Sequence, residues 1–241
     1  MAHIGTTKNK LYKVWENILD YIFPRECFGC AKEGEYFCSA CFDKIDYLQD
    51  DKCYICHDVE TQKGICSECS LLTGIDEIII ATHYNKTAIG QLVEGLKYNY
   101  IEEAGKILAQ VLDQKIKLLQ KENYLYNQIL LPVPLHRKRL VERGFNQSQI
   151  IAKHLAVKYN AQIEDKLIRR VKNTVQQAKL NREERLKNLK YGFQVDLKAV
   201  LPKKVVVLDD VLTTGSTFSE ISQQLKKAGV EYVICLAVCH G

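Results

Sequence analysis

No apolar run in this 241-residue chain approaches the ~18 residues that a membrane span requires. The most apolar stretch near its start, LYKVWENILDYIF, is interrupted by Lys13, Glu16 and Asp20, so it is not the core of a secretory signal. Missing too are the GK[ST] of a P-loop and the GxGxxG of a dinucleotide-binding turn, which removes two common nucleotide-binding readings. Net charge is only +5, so the chain as a whole is no polycation. Beyond four CxxC units there is no convincing repeat.

What is present is cysteine. Eight of the ten cysteines fall within residues 27 to 69, as CFGC, CSAC, CYIC and CSEC. With no export signal, a cytoplasmic location is expected, and clustered cysteines in a reducing compartment mean metal rather than disulfides. Zinc takes four tetrahedral ligands, and each CxxC turn offers two thiolates. Seven residues separate Cys27/Cys30 from Cys38/Cys41, and nine separate Cys53/Cys56 from Cys66/Cys69. Sequential pairing gives two compact ribbons, whereas pairing Cys27/Cys30 with Cys53/Cys56 needs longer loops. An iron–sulfur cluster is the rival, but nothing else in the chain asks for electron transfer. Closed four-cysteine sites have no open position, so their work is folding or docking. His57 reads as an outer-shell group or a plain loop residue, and Cys235 and Cys239 as buried thiols in a strand.

After the cysteines, apolar runs and amphipathic stretches alternate. IDEIIIATHYN, NQILLPVPL, KLIRR, KKVVVLDD and EYVICLAVC read as strands. TAIGQLVEGLKYNY, EEAGKILAQVLDQKIKLLQ, QSQIIAKHLAVKYN and FSEISQQLKKAG read as helices, the last stopped by Gly229. The implied class is α/β, a parallel sheet flanked by helices behind a small N-terminal zinc-ribbon module of four-cysteine sites. The expected divisions are an amphipathic helix in 1–24 (Leu11, Val14, Trp15, Ile18, Leu19, Ile22) that packs on the protein's own body, a double zinc ribbon in 25–72, and the α/β domain in 73–241.

The chemistry concentrates at 204–220, KVVVLDDVLTTGSTFSE. The strand delivers Asp209 and Asp210 to its C-terminal end, where open α/β sheets bind ligands. Thr213, Thr214, Gly215, Ser216 and Thr217 then open a helix whose amides, hydroxyls and dipole favour an anion. Carboxylates repel a bare phosphate but suit sugar hydroxyls or a metal ion, so carboxylates beside a phosphate cradle describe a ribose 5-phosphate. Charge placement agrees. Nine Lys or Arg face two Glu between Lys166 and Lys190, and Arg137, Lys138, Arg139 and Arg143 face Glu142. Two basic runs flanking such a turn make an anion-binding face.

VVVLDDVLTTGST resembles the phosphoribosyl pyrophosphate (PRPP) motif of type I phosphoribosyltransferases. LPVPLHRKRLVERGFNQS, QQAKLNREERLKNLKYGF, LKY at Leu96 to Tyr98 and the CxxC ribbons are similar to the ComF group of competence proteins, and the resemblance covers most of the chain. It implies a type I phosphoribosyltransferase-like fold with a double zinc ribbon, binding PRPP with Mg2+. Asp209 and Asp210 would hold the ribose as the catalytic pair, and Thr213 to Thr217 the 5-phosphate. Arg137, Arg139 and Arg143 would hold the pyrophosphate, with Asn146 and Gln147 capping a helix or touching ligand. Gln176 to Lys190 lies where the family has a mobile hood. The process implied is DNA uptake in natural transformation, with single-stranded DNA as a partner, Tyr98, Tyr100, Tyr191 and Phe193 as stacking platforms, and other competence proteins docking on the ribbons. Pentosyl transfer to an unknown acceptor and PRPP sensing without turnover remain open beside it.

Overall fold

The computed structural model describes residues 24–49, 51–85, 87–99, 101–171, 192–196 and 201–241. The amphipathic helix expected before Pro24, Tyr100, and the stretch 172–191 with the hood segment and Tyr191 lie outside the described residues. Two compact units divide the chain, Met1–Ile45 and Asp46–Gly241.

The first unit holds the first four clustered cysteines. Its described chain turns through Cys27–Cys30, bridges Glu26 to Glu33, and enters a one-turn helix α1 (Ser39–Phe42). Stacked Phe28 and Tyr36 rings, 6.1 Å apart, and edge-on Phe37 and Phe42, 6.4 Å apart, supply its apolar contacts.

In the second unit, helix α2 (Ser67–Thr73) ends at Gly74, whose φ of 73° suits glycine. Then follow β1 (Glu77–His83), α3 (Ala88–Tyr98), α4 (Glu102–Leu118), β2 (Ile129–Pro132), α5 (Arg137–Arg143), α6 (Gln147–Tyr159), β3 (Gln162–Ile163), β4 (Ile168–Arg170), β5 (Phe193–Val195), β6 (Lys204–Leu212), α7 (Ser216–Ala228) and β7 (Tyr232–His240). Helix ends carry the expected signals. Thr87 accepts from Gly90 N–H at 3.0 Å to cap α3, while Glu102 and Glu103 open α4 and Lys115 and Lys117 close it, complementing the helix dipole.

Five strands form one parallel sheet in the order β1-β7-β6-β2-β3. Strands covered on both faces must be apolar throughout, and Ile78, Ile79 and Ile80 are each fully buried. Each such side chain contributes roughly 1.5–3 kcal/mol by leaving water. The chain runs outward from β2 to β3, then returns to place β6 on the other side of β2. That reversal opens a crevice at the C-terminal ends of β2 and β6, where open sheets bind ligands.

Two features were not visible beforehand. HRKRLVER closes its own short helix, α5, and β4 pairs antiparallel with β5 as a separate two-stranded sheet. The Glu220 carboxylate on α7 accepts the Gly192 and Phe193 amides at 2.5 and 3.3 Å, which fixes β5 to α7. Phe193 is 3% exposed, so it is core rather than a stacking platform.

Candidate functional site

The eight clustered cysteines gather in sequential order. Cys27, Cys30, Cys38 and Cys41 bring their sulfurs within 4.8 Å of one another, and so do Cys53, Cys56, Cys66 and Cys69. A zinc ion with sulfur at about 2.3 Å has tetrahedral edges of about 3.8 Å. Cys30 and Cys38 stand 3.7 Å apart, and Cys56 and Cys66 3.9 Å. The backbone prepares the charge. Burial raises the Cys27 thiol, but the amides of Cys38, Gly29 and Cys30 outweigh it and bring the pKa down to about 6. Cys53 follows the same pattern to about 7. Cys41 is pushed up to about 12, first by its hydrogen bond with Cys38, so only a cation lets all four thiols ionise together. These are two zinc-binding sites of four cysteines each. Cys235 and Cys239 are fully buried in β7, where burial raises both thiols, to about 12 at Cys239.

At the crevice, Asp209 and Asp210 stand near the C-terminal end of β6, which runs on to Leu212. Ser148 Oγ, in the first turn of α6, donates to Asp209 Oδ1 at 2.8 Å, and Asp210 N–H donates to the same oxygen at 3.0 Å. Gln147 Nε2 donates to Asp210 Oδ1 at 3.3 Å, and Arg143 Nη1 donates to Gln147 Oε1 at 2.7 Å. Asn146 is the N-cap of α6, accepting from Ser148 N–H at 3.1 Å while donating to Val133 O at 2.9 Å. It therefore caps the helix that presents Gln147 and Ser148.

Lys97 on α3 forms an ion pair with Asp210 Oδ2, their side chains 17% and 5% exposed. Burial raises Asp210, but Lys97 outweighs it and holds the carboxyl below its ordinary range. Burial, and then the charge of Asp210, push Asp209 well above it. The pair therefore divides its roles: Asp210 is the more acidic partner, compensated by Lys97, and Asp209 is the one that takes up a proton more readily.

A cleft of about 510 Å³ opens over these groups, lined by Lys97, Tyr98, Arg139, Arg143, Arg170, Asp209, Asp210, Thr213 and Thr217 among others. A smaller hollow of about 20 Å³ beside it is bordered by Gly215 and Ser216 as well. Thr214 and Ser216 share a hydroxyl–hydroxyl bond of 2.7 Å, and Gly215, at φ 70°, precedes α7 with no side-chain cap. The first amides of α7 are thus unclaimed by a capping side chain, and Ser216, Thr217 and Phe218 border the hollow.

Of the arginines singled out from sequence, Arg139 and Arg143 line the cleft, and Arg137 is exposed outside its lining. Lys97, Ser148 and Arg170 were missed. Lys97 lies in the last turn of α3, inside the LKY stretch that carried the resemblance but no assigned role, and Arg170 arrives on β4 from outside the parallel sheet. Burial, then the charge of Arg139, lower the Arg170 pKa, although a guanidinium stays charged. Tyr98 is 60% exposed at the cleft, with the Arg143 guanidinium 5.5 Å from its ring centre.

Comparison with known proteins gives two findings. The double zinc ribbon domain family matches residues 18–70. Competence protein F of Haemophilus influenzae is 29% identical over 213 residues, 86% of this chain and 86% of that protein. DNA utilization protein YhgH of Salmonella typhimurium is 34% identical over 149 residues, 61% of this chain and 65% of that protein. Competence protein ComFC of Streptococcus pneumoniae is 25% identical over 200 residues, covering 81% and 84%. No helix among the described residues is long and apolar enough to cross a membrane.

Proposed function

For a chain related over most of its length to proteins named for competence and for DNA utilization, we propose that the cleft binds PRPP and that the protein works in the uptake or handling of DNA. One observation carries the ligand: a carboxylate pair at the sheet's reversal point faces a Thr-Thr-Gly-Ser-Thr turn and is ringed by Lys97, Arg139, Arg143 and Arg170. Carboxylates and cations at this density match a molecule that carries both sugar hydroxyls and phosphates.

In this reading the hydroxyls and amides of Thr213 to Thr217 take the 5-phosphate at the start of α7. Asp210 accepts from the ribose hydroxyls, and Arg139, Arg143 and Arg170 hold the pyrophosphate. Magnesium arriving with PRPP would be met by Asp209 once that carboxyl has given up its proton, its Oδ1 held by Ser148 Oγ and the Asp210 amide, because Asp210 is already met by Lys97 and Gln147. The ion would supply charge neutralisation at the departing pyrophosphate. If transfer occurs, the bond from C1 of ribose to pyrophosphate breaks, an acceptor atom forms the new bond to C1, and the arginines stabilise the released anion. A nucleic-acid acceptor fits the exposed Tyr98 ring beside Arg143 and the exposed Arg137 and Lys138 of α5.

A second reading, PRPP sensing without turnover, is favoured by the Lys97–Asp210 pair, which neutralises the acidic pair from within. Phosphorus NMR with PRPP and magnesium, with and without single-stranded DNA, separates the readings. Pyrophosphate that appears only with DNA, and is lost in Asp209→Asn, establishes transfer to nucleic acid. Shifted but intact PRPP resonances establish binding alone, and unshifted resonances reject the ligand.

A further inference from the structure

The second zinc ribbon does not end at its cysteines. Cys53, Tyr54, Ile65, Cys66 and Cys69 belong to the same buried cluster as Ile78, Leu212, Phe218 and Ile221, with Ile55 packed against it. Three contacts carry the ribbon to the turn before α7. Ile55, between the ligands Cys53 and Cys56, sits so close to Gly215 that a Cβ added there would lie 2.4 Å from Ile55 Cδ1. The Tyr54 and His57 rings pack on His240 at the end of β7, with centroids 5.6 and 5.8 Å away. The next residue, Gly241, donates its N–H to Leu212 O at 2.8 Å, immediately before Thr213. Behind the turn, α2 packs along α7, where Gln223 Nε2 donates to Leu72 O at 2.8 Å.

We propose that the second four-cysteine ribbon is the positioning element of the turn Thr213–Thr217, and that Ile55 is the residue through which it acts. The reason is mechanical. The turn has a left-handed glycine and no side-chain cap for the helix behind it, and its own Thr214–Ser216 hydroxyl bond ties the turn to itself without anchoring it to the body of the protein. The CxxC knuckle, closed by a metal, is among the stiffest loops a short chain can make. Ile55 places one face of that knuckle against the glycine. The proposal's phosphate-binding consequence rests on the PRPP reading, whereas its structural content does not.

The test uses zinc-loaded full-length protein without ligand. In Ile55→Ala, native mass spectrometry should still count two zinc ions, while amide hydrogen exchange at 213–217 should accelerate about tenfold, local opening being the quantity exchange reports. Ile55→Val, which keeps the branched contact, should exchange nearly as the parent and serves if the alanine variant folds poorly. Gly215→Ala should also accelerate exchange, and combining it with Ile55→Ala should cost less than the two effects added, because the alanine methyl then has room. Unchanged exchange in Ile55→Ala with both zinc ions retained overturns the proposal, as does full additivity in the double variant. Titration with PRPP follows: faster exchange with weaker PRPP binding supports both readings, and faster exchange in a protein that never binds PRPP upholds the strut and rejects the ligand.

Discussion

The two cysteine clusters share a motif and differ in what surrounds it. In the first, Cys30 is exposed, the four-residue helix α1 buries nothing, and Cys27, Phe37 and Cys38 are the only buried hydrophobic residues described before Ile45. In the second, Cys53, Cys66 and Cys69 are buried in the core that also holds β1, β6 and α7. The second ribbon is a wall of the α/β unit, whereas the first buries only Cys27, Phe37 and Cys38 among its described hydrophobic residues. Identical metal chemistry therefore does two kinds of work, and the apolar residues between the ligands decide which.

The largest test of that difference removes a ligand from each ribbon. Cys69→Ser should lower the stability of the α/β unit by more than about 3 kcal/mol, because metal binding there is also core formation. Cys30→Ser should lose one zinc and leave the calorimetric transition of that unit within about 0.5 kcal/mol. Equal losses in calorimetry would make the ribbons interchangeable and erase the comparison.

How much of this was legible in the sequence follows the range of each signal. The strands and helices of the parallel sheet were readable because burial on both faces leaves long apolar runs, as in VVVL before Asp209. The cysteine partners were readable from loop lengths. The chain's division after Ile45 was not, because four CxxC units look alike when counted by cysteine. The usable cue was the filling, CYIC and GIC in the second ribbon against CFGC in the first. At the cleft, the turn and the acidic pair form one contiguous motif and stood out. Lys97 lies over a hundred residues from Asp210 in sequence and reaches it only through the fold.

Lys97→Ala is the next test, and it asks whether the cleft shares the second ribbon's core. The change leaves Asp210 as a buried anion without its cation, which should cost about 3 kcal/mol. Asp210→Asn added to it should recover much of that loss in urea titrations. A protein indifferent to Lys97→Ala would mean that Asp210 is not held as an anion. Asp209 gives a smaller effect of opposite sign. Its folded pKa lies above the ordinary carboxyl value, first because it is buried and then because Asp210 is charged. Between the ordinary value near 4 and the raised one, the folded protein binds more protons than the unfolded chain, so stability falls as pH rises through that window. Asp209→Asn removes the titration, so its gain in Tm should be larger at pH 8 than at pH 5. Equal gains at both pH values would show that Asp209 does not retain the proton.

The smallest expected effect lies closest to the metal. Leu71 is 87% exposed on α2, two residues after the ligand Cys69, which is 8% exposed. Leu71→Glu should change stability by less than about 0.5 kcal/mol and leave both zinc ions bound, because a side chain already in water surrenders no burial. Cys69→Ser on the same short helix should sit at the other extreme. If Leu71→Glu instead destabilised the protein strongly in the same calorimetric experiment, burial within the α/β core would not be what separates the two ribbons. The near-neutral result would tie the second ribbon's role to the residues it turns inward, Tyr54, Ile55, Ile65 and Cys69, and not to nearness to the metal.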